Sequence, residues 1–386
     1  MNKKKIEIIE QREVLNNRIF YEKYKSHFAV ELLLRESQYF VKNVKTKFFL
    51  LRCEDDLIPC TLNETDYDNA VICSPYTTFV SYAKSEFKNL SGAIPLFFRI
   101  IINVFGLIAK LCKFNQVIQL NNPLALSLEH PRCLAENLSE ITKTLILKYP
   151  NYAIYIPRFI NIDNLYSQLQ LNNYQCMPTM VAYLLDPKNI IKNNSKGRYS
   201  AKRHAKNDTK LLNTSGYKSV SFTDLTKKQI QRVRSLYKML YLGRHSKCNP
   251  NYTEEYFKRL IHENDHIFLY LAKESGTIDA FACLRIKDKL ISCTPVGYDT
   301  RLLQNLNLYR QLTALTLKYA KTNNYVLNLS TGADRFKLNR GGTPVFQYNA
   351  VYYQHLPLFR KLPWILLGRI LKFMTLERYI KLACKK

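Results

Sequence analysis

The chain has 386 residues, of which 47% are hydrophobic, and its 58 lysines and arginines against 30 acidic residues give a formal charge of +28. This hydrophobic fraction argues against intrinsic disorder, and the length suits two domains better than one core. The charge predicts an anionic partner such as nucleic acid, a lipid headgroup or a phosphate-bearing cofactor, although a generally basic, solvated surface is the alternative.

The N-terminal residues, beginning with Met1 and continuing through lysines and glutamates to Glu13, predict a charged helix without the apolar region of a signal peptide. The longest apolar stretch, 93–114, is interrupted by polar and basic residues and predicts a buried or interfacial helix rather than a membrane span. The ten cysteines form no CxxC pair, so we expect reduced thiols, no metal site and a cytoplasmic protein, with peripheral membrane contact as an alternative.

The first half alternates strand and helix patterns. The predicted strands are 47–53, 69–74, 116–120, 152–156 and 180–185. The predicted helices are 93–114, 132–148 and 162–169. This alternation predicts an α/β (α+β) domain over residues 1–186.

A basic helical arm is predicted at 187–216, where Asp208 is the one acid between residues 188 and 210. Cations recur there every four residues and would share one helix face, where like charges repel. This pattern indicates an anionic partner or, alternatively, a solvated linker. The cations predicted to contact the partner are Arg198, Lys202, Arg203 and Lys206.

The second half has a clearer pattern, predicted as a domain at 217–355. Its predicted strands are 219–222, 266–273, 278–286, 290–296, 325–329 and 345–353. Its predicted helices are 226–241, 251–261 and 305–322, with Thr253 and the two glutamates after it at the start of the second. A hairpin that leads into a crossover helix predicts a mixed sheet flanked by helices.

This element order resembles the GNAT acyltransferase fold. The hairpin 268–280, with Gly276 at its turn, is similar to the second and third strands of that family, and the stretch 327–342 is similar to the end of FemAB-like and BioF2-like transferases, where Phe336-Lys337 matches an aromatic-lysine step. The resemblance implies two tandem GNAT-like domains, with the active cleft mainly in the second.

The resemblance also implies acyl transfer from acyl-CoA to an amine or hydroxyl acceptor, in cell-envelope or small-molecule biosynthesis. A FemAB-like enzyme that uses aminoacyl-tRNA as its donor is the first alternative. The second is a non-catalytic protein that binds nucleic acid or a membrane surface on a degenerate GNAT scaffold.

The cofactor loop departs from the family pattern. Most CoA-using relatives have Q/R-x-x-G-x-G/A where the fourth strand meets the long helix, and its bare amides hold the pyrophosphate. Residues 301–307 here contain the arginine but neither glycine. Either the asparagines occupy the glycine positions or CoA is not the donor. The candidate cofactor-binding residues are Arg301, Gln304, Asn305 and Asn307.

The remaining site candidates follow from the chemistry of acyl transfer, which needs a deprotonated nucleophile, an oxyanion donor and a proton for the leaving group. The candidate catalytic residues are Lys337, Asp334, Tyr298 and Tyr309. The candidate substrate-binding residues are Arg335, Phe336, Arg340, Gly341 and Gly342. A plain surface turn is the alternative for this segment.

The tail, 356–386, mixes apolar and basic residues and predicts amphipathic helical segments separated by Pro357 and Pro363. Such segments could lie in a membrane interface or, alternatively, cap the second domain.

Overall fold

A computed structural model describes residues 6–87, 93–126, 129–161, 164–188, 196–220 and 225–383. No helix in these ranges is long and apolar enough to span a bilayer. The chain divides into two compact units: unit 1 consists of residues 1–179, 248–251 and 347–375, and unit 2 of residues 180–247, 252–346 and 376–386.

The strands up to residue 185 are β1 (Ile6–Ile9), β2 (Lys47–Cys53), β3 (Asp56–Asn63), β4 (Val117–Gln119), β5 (Ala153–Ile160) and β6 (Gln175–Leu185). The helices of this part are α1 (Gln11–Asn16), α2 (Arg18–Tyr24), α3 (Phe28–Leu34), α4 (Ser37–Phe40), α5 (Tyr82–Phe87), α6 (Ala93–Leu111), α7 (Arg132–Glu136), α8 (Leu138–Lys148) and α9 (Leu165–Leu171). A π-helical turn at Thr77–Ser81 leads into α5.

The later strands are β7 (Lys218–Val220), β8 (His266–Ala272), β9 (Ile278–Lys287), β10 (Leu290–Tyr298), β11 (Val326–Thr331) and β12 (Thr343–Tyr352). The later helices are α10 (Lys196–Thr214), α11 (Lys227–Lys238), α12 (Glu254–Ile261), α13 (Leu308–Asn323), α14 (Asp334–Leu338) and α15 (Leu358–Ala383). A π-helical turn, Met239–His245, continues α11, and a short 3₁₀ turn, Gln304–Leu306, precedes α13.

The sheet of unit 1 contains β1, β2, β3, β4, β5 and the C-terminal part of β12, in that order. Only β4 and β5 are parallel among these pairs. Alternate residues serve two cores: Ile118 and Ile154 pack with α7 and α8, whereas Val117 and Tyr155 pack with residues of α6 and α15. Helices therefore cover both faces of this mixed sheet.

The sheet of unit 2 contains the C-terminal part of β6, then β11, β10, β9, β8 and β7. Only β10 and β11 are parallel among these pairs. Its main core lies under α13, whose Leu308, Leu312 and Leu315 repeat at helical spacing and are buried against the sheet. Each unit is thus a mixed sheet flanked by helices, which confirms the predicted α/β (α+β) fold class.

The predicted domain boundaries at 186 and 355 differ from the observed units. Residues 347–352 of β12 pair with β5 of unit 1, and residues 182–185 of β6 pair with β11 of unit 2. The predicted arm, 187–216, falls within unit 2 rather than between domains. A strand pattern shows where a strand lies in the sequence but not which sheet it joins. Domains predicted as continuous stretches of sequence therefore could not show that part of β12 joins the sheet of unit 1 and part of β6 the sheet of unit 2.

Several predicted elements were wrong. Residues 69–74 form turns instead of a strand, because the Asn69 side chain bonds to the backbone of Lys45 and the Ser74 hydroxyl donates to Asn115. The N-terminal segment predicted as one helix instead forms the strand β1 followed by the helix α1, and β3 was not predicted at all. Pro363 lies inside α15 rather than between two segments.

Candidate active site in unit 2

The site begins where two parallel strands part. β10 and β11 pair from Leu290 to Ser292 and from Val326 to Asn328, and no further pairing joins them among the described residues. β10 nevertheless continues beside β9 to Tyr298, and its register shifts between Cys293 and Val296. The C-terminal halves of the two strands therefore leave a gap, in which backbone groups on the facing edge of β10 lack partners in β11.

Lys337 lies beside the separated ends of these strands. Its Nζ donates hydrogen bonds to the backbone oxygens of Ser330 (3.1 Å) and Thr331 (2.7 Å) at the end of β11, and lies 5.7 Å from the centre of the Tyr183 ring. The residue is only 2% exposed. Burial lowers the pKa of Lys337 to about 8, although Asp334 and Cys293 act in the opposite direction. The side chain can therefore exchange a proton near neutral pH.

Cys293 of β10 shares this environment with Lys337. Burial raises the pKa of the Cys293 thiol to about 12, and the nearby Lys337 ammonium partly offsets the increase. The thiol therefore stays protonated near neutral pH, which argues against a role as nucleophile. On the next residue of β10, the hydroxyl of Thr294 is buried without a hydrogen-bond partner among the described residues.

The turn after α14 holds Lys337 in place. Gly341 has a φ of +87°, and a Cβ on Gly342 would lie 2.9 Å from the Lys337 backbone oxygen. The amides of Gly341 and Gly342 donate to the backbone oxygens of Leu338 and Lys337. These amides close the turn, so the plain-turn alternative describes the two glycines better than the predicted substrate-binding role.

The Arg340 side chain is also bonded within the fold. Its Nε donates to Asp208 Oδ2 at 2.6 Å, its Nη1 donates to the Phe336 backbone oxygen, and its guanidinium stacks 3.4 Å from the centre of the Phe336 ring. Asp208 also accepts from Arg310 Nε at 2.8 Å. Because Arg340 and Asp208 are both buried, this ion pair supports α14 and is not available to a substrate in the described arrangement.

An aromatic row connects the turn to the cofactor loop. The Phe336 ring lies 5.0 Å from Tyr309, and Tyr309 lies 6.2 Å from Tyr298. Burial raises the pKa of Tyr309 to about 12, so its phenol stays protonated at neutral pH and can donate a proton. The Tyr298 hydroxyl accepts from Arg244 at 3.1 Å. Of the other candidates on this turn, Asp334 is half-buried beside Lys337 and Arg335 is exposed.

The cofactor loop explains part of the missing glycine pattern. Asn307 has a φ of +50°, a left-handed conformation that glycine adopts freely and asparagine tolerates better than most residues. Its side chain donates to the Asn305 backbone oxygen instead of capping α13. The uncapped first turn of α13 therefore presents its amides and its positive dipole end, which suits a phosphate group.

Arg301 is less available than its position in the motif implies. Its guanidinium donates to both carboxylate oxygens of Asp299, at 3.0 and 2.7 Å, although its side chain is 69% exposed. Those hydrogen bonds, together with Arg232, hold the pKa of Asp299 below its ordinary value. Gln304 and Asn305 are exposed on the 3₁₀ turn.

The predicted basic arm is docked through its one acid. Asp208 pairs with Arg310 of α13 and with Arg340, whereas Lys202, Arg203 and Lys206 are exposed. The side chain of Arg198 lies outside the described residues. Sequence analysis missed Asp208 as a site-supporting residue, although a single acid in a run of cations was a signal that it has a partner within the fold.

The structure therefore brings Lys337, Asp334, Phe336, Tyr309 and Tyr298 into one cluster, with the loop 301–307 at its end. Arg340, Gly341 and Gly342 support that cluster from behind. Cys293 and Thr294 were missed, because strand patterns do not show where two strands part. Within the described ranges, no group of three or more His, Cys, Asp or Glu residues could hold a metal ion.

Among known proteins, the chain shows similarity only to solved structures. No family model matches the sequence, and no curated protein matches it either. The chain is similar to L-PGS from Bacillus licheniformis, with 14% identity, a TM-score of 0.44, and coverage of 60% of this chain and 79% of that chain.

It is also similar to FemX, with 10% identity, a TM-score of 0.44, and coverage of 59% of this chain and 78% of that chain. A tandem GNAT protein from the clavulanic acid biosynthesis pathway has 8% identity and a TM-score of 0.38, with coverage of 90% of this chain and 98% of that chain. What this chain does has to follow from its own residues.

Proposed function

We propose that unit 2 is an acyltransferase that moves an acyl group from acyl-CoA to an amine or hydroxyl acceptor. The observation that carries the proposal is the gap between β10 and β11, with the Lys337 ammonium bonded to the end of β11 beside it. Unpaired strand edges supply backbone amides that can bind the oxygen of an acyl group. The gap therefore combines a binding edge, a proton-exchanging amine and an adjacent helix N-terminus.

The reaction follows from these groups. The acceptor's nucleophilic atom attacks the thioester carbonyl carbon, and the oxygen gains a negative charge that the β10 amides and the Lys337 ammonium stabilise. The intermediate collapses by breaking the carbon–sulfur bond, and the CoA thiolate leaves with the electron pair. Tyr309 is the proposed proton donor to that thiolate, the proton lost by the acceptor passes to solvent water, and Tyr309 regains a proton from the same solvent. No covalent acyl-enzyme forms, which agrees with the high pKa of Cys293.

The CoA pyrophosphate is assigned to the first turn of α13. Asn307 supplies the left-handed conformation there, and its side chain does not cap the helix. Arg301 can reach an anion only by exchanging its bonds to Asp299 or by binding with the remaining guanidinium hydrogens. In this proposal, Arg301 is therefore secondary to the helix N-terminus.

Aminoacyl-tRNA is the second candidate donor. The exposed cations Lys202, Arg203 and Lys206 on α10 favour it, because α10 is docked to α13 through Asp208 and so holds them in a fixed position in the same unit. Binding of a polynucleotide by these cations would weaken steeply with salt, whereas a formed CoA site would not depend on them.

The test is calorimetric titration with acetyl-CoA and with a long-chain acyl-CoA, at low and high salt. Saturable binding that persists at high salt supports the acyl-CoA proposal. A Lys337→Met variant should then bind CoA with little change but lose turnover, whereas the exposed-lysine control Lys318→Met should behave as the unmodified protein. Binding that is absent, or that disappears with salt, removes CoA as the donor and leaves aminoacyl-tRNA or a non-catalytic binding protein.

A further inference from the structure

Two helices of unit 1 expose an unusual number of large apolar side chains. Of the twenty-one large hydrophobic residues that are exposed among the described residues, thirteen belong to α6 or α15. Those of α6 are Leu96, Phe97, Ile100, Ile101, Val104, Leu107 and Leu111. Those of α15 are Leu358, Phe359, Leu362, Ile370, Phe373 and Met374. A concentration of this kind on a folded protein marks an interaction surface.

The exposed residues form one stripe on each helix. With a rotation of about 100° per residue, the seven side chains of α6 fall within an arc of about 140°, and the six of α15 within about 160°. The opposite sides of both helices are buried in a shared core. Phe105 of α6 packs 5.8 Å from Phe114, and Phe114 packs 4.0 Å from Trp364 of α15. The two stripes thus belong to helices whose opposite sides pack in the same core, and we call the two stripes together the apolar face.

Within the two stripes, all charged residues have one sign. No acidic residue occurs in 93–114 or in 356–374. Lys110 and Lys113 are exposed at the end of α6, and Arg369 and Lys372 are exposed on α15. An apolar stripe interspersed with cations is complementary to anionic phospholipid, whose headgroups attract the cations while its acyl chains accept the apolar residues.

We propose that the apolar face of α6 and α15 binds the surface of an anionic phospholipid membrane. Both helices would lie in the plane of the interface, with their apolar stripes at the boundary of the headgroups and the acyl chains. Neither helix is long and apolar enough to span a bilayer. A second copy of the chain fits this face less well, because symmetric pairing would bring the same cations together. The proposal does not depend on the acyl transfer proposed above.

The first experiment measures co-sedimentation of the full chain with vesicles of phosphatidylcholine alone and of an equal mixture of phosphatidylcholine and phosphatidylglycerol. The test variant is Phe97→Ser/Leu107→Ser. The matched control is Ile19→Ser/Leu147→Ser, which changes two apolar residues that are 85% and 84% exposed on other helices of the same unit. Circular dichroism and thermal unfolding check that both variants fold.

We expect the chain to bind the mixed vesicles and the control to bind equally well. The test variant should need at least tenfold more lipid for half-maximal binding, a loss of about 1.4 kcal/mol. A Lys110→Glu/Lys372→Glu variant should lose the preference for phosphatidylglycerol, whereas Lys143→Glu on α8 should keep it. Binding that vanishes at high salt and ignores the apolar substitutions would contradict the proposal, because it would reflect net charge alone.

If another molecule covers the apolar face instead of a membrane, the experiments will give different results. If a second copy covers the face, light scattering will show a dimer that Phe97→Ser/Leu107→Ser dissociates, and the vesicles will not bind the protein. If another protein covers it, the chain will remain monomeric and will not sediment with either vesicle. Each of these results overturns the membrane proposal.

Discussion

The lowered pKa of Lys337 can be tested directly by replacing the side chain with one of similar length and no charge. In the Lys337→Met variant, the apolar chain remains and the ammonium is lost. The structure places this ammonium in a 2% exposed position with two backbone oxygens as hydrogen-bond partners. Lowering the pKa of Lys337 from 10.5 to about 8 corresponds to about 3 kcal/mol of unfavourable burial of the charged form, at about 1.36 kcal/mol for each tenfold change in acidity.

The sign of the pH effect follows from proton binding. Between pH 8 and about pH 10.4, the unfolded chain keeps this proton whereas the folded protein releases it, so the free energy of unfolding rises with pH. The unmodified protein should therefore gain up to about 3 kcal/mol relative to Lys337→Met over that range. At pH 7 the free energies of unfolding of the two proteins should differ less than at high pH. The unmodified protein then carries the cost of burying the Lys337 charge, whereas the variant carries the cost of leaving the oxygens of Ser330 and Thr331 unsatisfied, at about 1–3 kcal/mol each.

The most direct assay is NMR of protein labelled with ¹³Cε-lysine. One lysine resonance should titrate with a midpoint near pH 8, and it should be absent from the Lys337→Met spectrum. Urea unfolding of both proteins from pH 7 to pH 10.5 should then show the growing difference in stability. The reasoning is refuted if every lysine titrates near the ordinary pKa of about 10.4, or if the stability difference is the same at every pH.

Three further predictions concern the framework of the site. Asp208→Asn should lower the free energy of unfolding by about 3 kcal/mol, because it leaves the buried Arg340 without a counter-charge; Asp55→Asn, which breaks an exposed ion pair, should cost less than about 1 kcal/mol, and equal losses in urea unfolding would contradict this. Asn307→Ala should destabilise the chain by about 1 kcal/mol and Asn307→Gly should not, since alanine disfavours a φ of +50°; calorimetry should show that Asn307→Gly still binds CoA. Gly297→Ala should destabilise by about 1–3 kcal/mol, because its Cβ would lie 2.8 Å from the nearest backbone nitrogen of α11; an unchanged melting temperature would show that the helix can move away.

Much of the fold was predictable because unit 2 repeats strong local patterns. The hairpin of β8 and β9 turns at Gly276, whose φ is +79°, and α12 begins at Thr253, whose hydroxyl oxygen accepts from the Tyr256 amide. The long helix α13 was predicted at 305–322 and is observed at Leu308–Asn323. Each of these signals depends only on residues close together in the sequence, so it can be recognised without knowing the fold.

The remaining features depend on partners that are far away in the sequence. Asp208 and Arg340 are 132 residues apart, and the pairings of β6 with β11 and of β12 with β5 join strands that are even farther apart in the sequence. The candidate site was predicted as far as Lys337 and its aromatic neighbours. The separation of β10 and β11, which creates the proposed binding site beside Lys337, could not be derived from the sequence of either strand by itself.

The central claim is that the gap between β10 and β11 in unit 2 binds the acyl thioester. The most direct measurement is photo-crosslinking with an acyl-CoA that carries a diazirine in its acyl chain, followed by mass spectrometry of the labelled peptides. We expect labels within 290–298 and 326–337, and unlabelled acyl-CoA should compete them away at high salt. Labels confined to α10, or labels that disappear with salt, would instead show that the chain only attracts the phosphates of CoA.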